Sequence, residues 1–96
     1  MTSEYKIYAL IFDREGADFA ALNRFMKESK MVRGWWHHIQ NCYLIKSRYS
    51  ASEIARALPS DMRDNGFLLV EVDLHHRDGW LTDKAWEWID RQAVTA

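Results

Sequence analysis

The sequence predicts an α+β domain, ordered β-α-β-β-α-β with a closing helix. Three observations carry that reading. Runs of β-branched and aromatic residues alternate with stretches of helical periodicity. The turn-forming residues and the single proline fall between those runs. The first and third extended runs are apolar on both faces, as strands in the middle of a covered sheet are.

The elements follow in order. Residues 5–12 (YKIYALIF) form a strand, and DREG breaks it. Residues 17–30 place Phe19, Leu22, Phe25 and Met26 three or four apart, with Asp18, Asn23, Arg24 and Lys27 between them. That spacing is an amphipathic helix. Lys27 and Lys30 suit its C-terminal end, where the helix dipole favours cations. Two short extended runs, about 33–39 and 42–47, flank Gln40-Asn41 and read as a tight hairpin. Ser50 opens SASE, a capping box closed by Glu53, and announces a helix carrying Ile54, Ala57 and Leu58. Pro59 ends it. Residues 60–66 (SDMRDNG) read as loop, with Asn65-Gly66 as a turn. Residues 67–74 form the last strand, which HHRDG breaks. Thr82 then caps a short helix with Trp86 and Ile89 on one face.

This is the split βαβ, or ferredoxin-like, arrangement, whose usual strand order is 4-1-3-2. The faces agree with it. The first strand carries Tyr5, Ile7, Ala9 and Ile11 on one side and Tyr8, Leu10 and Phe12 on the other. The third sets Cys42 and Leu44 against Tyr43 and Ile45. The fourth is apolar on one side (Leu68, Val70, Val72, Leu74), whereas its other side turns polar at Glu71 and Asp73. The two inner helices of such a fold cover the same face. The opposite apolar face needs its own cover, for which a second copy of the chain, packed sheet to sheet, is the favoured expectation. The closing helix folded back is the other.

The totals narrow the class. The 96 residues make one domain, spanning 1–96. A net charge of −1, from 13 basic and 14 acidic residues, is not the footprint of a duplex-binding protein. The single Cys42 excludes an internal disulfide, so a cytoplasmic location is expected. No apolar run approaches the ~18 residues of a membrane span. Five Trp, four Tyr and four Phe exceed what one small core hides, a further hint of self-association.

Gly34 to His38 (GWWHH) invites a functional reading. In an extended strand Trp35 and His37 point one way and Trp36 and His38 the other, so the histidines do not converge on one ion. His75 and His76 raise the same difficulty. An RNA-binding sheet is disfavoured as well, because NCYLIKS does not carry the aromatic pattern of RNA-recognition modules on the third strand.

The segments WWHHIQNCYLIKS, YALIFD, SASEIARAL, NGFLLVEVD and GWLTDKAWEWID together resemble the SinR-like small bacterial proteins. That group is similar to the superfamily of the small CRISPR adaptation subunit and the VapD-type toxin ribonucleases. The resemblance spans about residues 5–90 and implies a ferredoxin-like homodimer joined through its sheets. It also implies a role for Asp13, the aspartate after the first strand, as a catalytic residue and metal ligand. Two copies across a dimer axis would share Mg²⁺ or Mn²⁺, a hard cation suited to carboxylate oxygens, for phosphodiester hydrolysis. His37, His38, Asp73 and His75 are candidate general bases by residue type. Phe12 stands where the related strands commonly have Tyr, so a hydroxyl is missing. An aspartate before Arg14-Glu15-Gly16 is equally an ordinary turn residue. The expectation is therefore a non-catalytic dimeric scaffold or regulatory module, acting with nucleic acid or a toxin or antitoxin partner. The alternative is a metal-dependent nuclease centred on Asp13.

Overall fold

The strand β1 (Lys6–Phe12) has a neighbour on each side and a roof on each face. The other strands are β2 (Gly34–Ile39), β3 (Cys42–Ser47) and β4 (Phe67–Val72). The helices are α1 (Phe19–Glu28), α2 (Ala51–Ala57), α3 (Asp61–Asn65) and α4 (Asp83–Thr95). This computed structural model describes residues 4–13 and 15–95, with side chains to residue 93; Arg14 of the expected DREG turn lies outside them. The architecture is a small α+β fold with one four-stranded antiparallel sheet, ordered β2-β3-β1-β4.

The two faces of the sheet are separate cores. On the first, Tyr8, Leu10 and Phe12 of β1 and Tyr43 and Ile45 of β3 meet Leu22 and Met26 of α1, Ile54 of α2 and Met62 of α3. The first two of these helices are each placed by a side-chain cap. Asp18 caps α1 by accepting from the Ala21 amide at 3.0 Å. Ser50 and Glu53 close the capping box on α2 with reciprocal bonds of 3.1 and 3.0 Å.

On the second face Ile7, Ala9, Trp36 and Leu44 are buried against Ala85 and Ile89 of α4. Thr82 begins that helix by accepting from the Ala85 amide through its hydroxyl and from the Trp86 amide through its carbonyl. The Trp36 indole then donates to the Ala85 carbonyl at 3.0 Å, a buried bond that fixes β2 to the first turn of α4. The chain therefore roofs much of this face with its own helix, where the sequence reading favoured a second copy. The helix runs from residue 83 to 95, longer than the short one expected. Its buried stripe is Ala85, Ile89, Gln92 and Ala93, with Trp86 and Trp88 half-buried on its flanks. Alanines at the contact let the helix lie close to the sheet.

Other boundaries differ for local reasons. Residues 61–65, expected as loop, form α3, a single turn too short to show periodicity. β4 stops at Val72 instead of residue 74, because Asp73 turns back to accept from the His75 amide at 2.9 Å. The register of β2 on β3 shifts between Trp36 and Ile39, next to the Gln40-Asn41 turn, so Ile39 joins the second face.

Leu22 and Ile89 are buried on opposite faces, at 0% and 5% exposure. Each change to Ala should cost roughly 2–5 kcal/mol in urea unfolding, within one cooperative transition. A loss below ~0.5 kcal/mol at Ile89, the size of a surface change, would mean that α4 is not docked.

Candidate functional site

The sheet delivers its candidate side chains to two separate ends. Asp13 follows Phe12, at the end where β1 meets Phe67 of β4. Its carboxylate is exposed, and Oδ1 accepts from the Glu15 amide at 3.0 Å, the ordinary turn role of an aspartate there. The loop behind it is clamped by α3. Asn65 donates to the Gly16 carbonyl at 3.0 Å, and Asp61 accepts from the Asp18 amide at 3.0 Å. Gly16 has φ +80°, and a Cβ there would stand 2.9 Å from the Asn65 side-chain oxygen. The positive φ favours glycine, and a Cβ would in addition push the Asn65 amide aside.

His37 and His38 share this end of the sheet but not a face. The His37 ring stacks on Tyr43, with centroids 3.9 Å apart and planes at 9°. Phe19 also stacks on the His37 ring, at 5.6 Å, and His37 Nε2 lies 3.2 Å from the Gln40 carbonyl, to which it donates as the Nε2–H tautomer. His38 lies on the opposite face, its ring 5.2 Å from that of Trp36. The register shift does not bring the two imidazoles together. Below His37, Tyr43 donates to Asn23 Oδ1 at 2.6 Å, and burial pushes its phenol up to about 12. Burial also raises the Cys42 thiol, which disfavours a thiolate nucleophile.

Asp73 and His75 sit at the far end. Val72 pairs with Ile7 and Phe67 with Phe12, so the length of β4 separates this pair from Asp13. At ~3.3 Å per residue that is about 20 Å, too far for either to serve Asp13 as a base within one protomer. The two do form a dyad, with His75 Nδ1 2.7 Å from Asp73 Oδ1. The His75 amide and then its ring hold the Asp73 carboxyl below the usual range. Among the described residues no hydrogen bond links His75 to a hydroxyl or thiol, so the dyad orients an imidazole without activating a nucleophile. Also among the described residues, no group of three or more His, Cys, Asp or Glu is placed to hold a metal ion.

Sequence reasoning missed a basic region at the start of β2. One cleft of about 290 Å³ is lined by Tyr5, Lys30, Arg33, Arg48 and Tyr49. An adjoining one of about 380 Å³ is lined by Arg33, Lys46, Trp88 and Arg91. The hairpin register held the signal. The Arg33 amide bonds the Lys46 carbonyl at 2.8 Å, and Gly34 pairs with Lys46, so the strands bring Arg33 beside Lys46 and Arg48.

No helix among the described residues is long and apolar enough to cross a membrane. The chain matches no protein-family model, no curated protein and no solved structure.

Tyr43 gives a pH test. Its folded-state proton is held more tightly than in the unfolded chain, so stability is full below 10.0, the ordinary phenol value, and falls as pH rises toward about 12. Ultraviolet difference titration should show one phenol ionising near 12, and Tyr43→Phe should remove that step. Ionisation of every tyrosine near the ordinary value would place Tyr43 in solvent.

Proposed function

We propose that this chain is a ferredoxin-like module, related to the SinR-like proteins, that works as a homodimer and has no catalytic activity of its own. The fold part of this reading is supported by the strand order, which read from the β4 edge is β4-β1-β3-β2. The association part rests on one observation: α4 leaves a strip of the second face bare.

The strip crosses the whole sheet. Ile39 pairs with Cys42, Cys42 with Ile11, and Ile11 with Leu68, so one row runs over four strands. Four strands at ~4.8 Å spacing make it roughly 15 Å wide. Leu68 is 58% exposed, Ile39 48% and Ile11 44%, and Val70, next along β4, is 39% exposed. Trp80 is fully exposed, in the loop that shares a cleft with His38. Exposed apolar patches of this kind mark interaction surfaces. The row itself holds no charged side chain, which suits it to pack against its own copy across a two-fold axis. As a scaffold or regulatory module, such a dimer would act with a nucleic acid or with a toxin or antitoxin protein.

A second reading, a nuclease dependent on Mg²⁺ or Mn²⁺, draws on the place of Asp13. It stands two residues beyond Ile11, so pairing across the strip would carry both copies of Asp13 toward the axis. One protomer does not fit such an ion. A hard cation asks for about six oxygens, and Asp13 is a single carboxylate with one oxygen already engaged by Glu15. No catalytic step follows from it.

Sedimentation equilibrium at low micromolar concentration should find a dimer. Leu68→Lys with Ile11→Lys should weaken association at least about tenfold, because like charges would then face each other, with circular dichroism unchanged. A clean monomer in the unaltered protein would overturn the pairing. Purified protein with Mg²⁺ or Mn²⁺ should leave RNA and DNA intact; cleavage lost in Asp13→Ala, with the dimer retained, would establish the nuclease instead.

A further inference from the structure

The cations of this chain are unevenly placed. Lys30, Arg33, Lys46, Arg48 and Arg91 line the two adjoining clefts at the start of β2. Among the described residues no carboxylate lines either, in a chain with 14 acidic residues against 13 basic ones. Glu4 and Glu28 stand nearby in sequence but outside both linings. Among the described residues none of Lys30, Arg33, Lys46 and Arg48 forms an ion pair. Elsewhere Lys6 meets Glu71 at 3.8 Å and Arg77 meets Asp90 at 2.8 Å. The like charges of Lys30, Arg33, Lys46 and Arg48, gathered without an ion pair among the described residues, favour a multivalent anion.

The clefts also offer a surface for a planar ring. The Arg48 guanidinium lies 4.5 Å from the Tyr5 ring centroid, and Lys46 Nζ lies 5.3 Å from it. An arginine on an aromatic ring presents a flat face for stacking and an edge of N–H donors for phosphate. Arg33 belongs to both clefts and joins them around the edge of the sheet. Their volumes, about 290 and 380 Å³, sit at the small end of ligand sites, which run from ~300 to 1,000 Å³.

We propose that this end of the sheet binds a nucleoside phosphate, with Arg33 and Arg48 on the phosphate and the base against the Tyr5–Arg48 pair. An acidic peptide would use the charge and leave the aromatic–guanidinium pair idle. The ligand is a free nucleotide or one unit of a single-stranded oligonucleotide, since both carry the same ring and phosphate. The site lies at the opposite end of β1 from Asp13 and does not depend on pairing through the apolar strip. A failed dimer test therefore leaves it standing.

Calorimetric titration at low ionic strength, with ADP, a single-stranded oligodeoxynucleotide and inorganic phosphate as separate probes, tests it. Arg33→Ala and Arg48→Ala should each weaken nucleotide binding at least about tenfold. Arg33→Lys should fall between, because it keeps the charge and loses the planar fork. Lys84→Ala, an exposed cation on α4, should change nothing. Arginine-dependent binding of ADP identifies a free nucleotide as ligand, and such binding of the oligonucleotide alone identifies a strand. The proposal is overturned if no probe binds, if Arg33→Ala is without effect, or if inorganic phosphate binds as tightly as the other two.

Discussion

A strand that must be dry on both faces organises this protein. In β1, Tyr8, Leu10 and Phe12 need one roof, and Ile7 and Ala9 need another. The three inner helices supply the first. The second comes from α4, which the chain reaches only after crossing the whole sheet. Its attachment is directional as well as apolar. The Trp36 indole would be a buried donor without the Ala85 carbonyl, and an unpaired buried donor costs about 1–3 kcal/mol. That bond sets where the helix lies, and with it which part of the face stays open.

The same strand separates two chemistries. Beyond its last residue stand Asp13, Glu15 and Asp18, with Asp61 bonded to the Asp18 amide. At its start stand the cations around Arg33 and Tyr5. Glu71 and Asp73 share that end of the sheet but lie on β4 and just beyond it, across β1 from the hairpin that gathers the cations. A near-neutral total conceals the cationic cluster, because only the hairpin register brings its members together. The apolar strip lies on the acidic side of that division, so contact with another copy and contact with an anion do not compete for surface.

Much of this was legible in the residues. Two-residue alternation assigned the faces of β1 and β3 correctly, because a pleated strand leaves no other choice. Ser50 and Glu53 announced α2 for a reason the structure repeats atom by atom. The opposed directions of His37 and His38 followed from the same alternation. Other features were hidden. The helix α3 is held by Met62 in the core and by Asn65 on Gly16, contacts that local pattern does not announce. The buried stripe of α4 is built on Ala85 and Ala93, which carry little hydrophobic signal beside three tryptophans. The basic clefts join residues from distant segments, so their concentration appears only once the hairpin register is applied.

The position of α4 in chain order has a kinetic side. As the polypeptide leaves the ribosome, β1 finds β3 and then β4, and the first core can close. Ile7, Ala9, Trp36 and Leu44 stay wet until residues 85–93 have emerged. For that interval the nascent sheet carries a sticky side with nothing upon it, the condition in which chaperones are recruited and neighbouring chains entangle. The last helix to be made is thus the one that closes the second core.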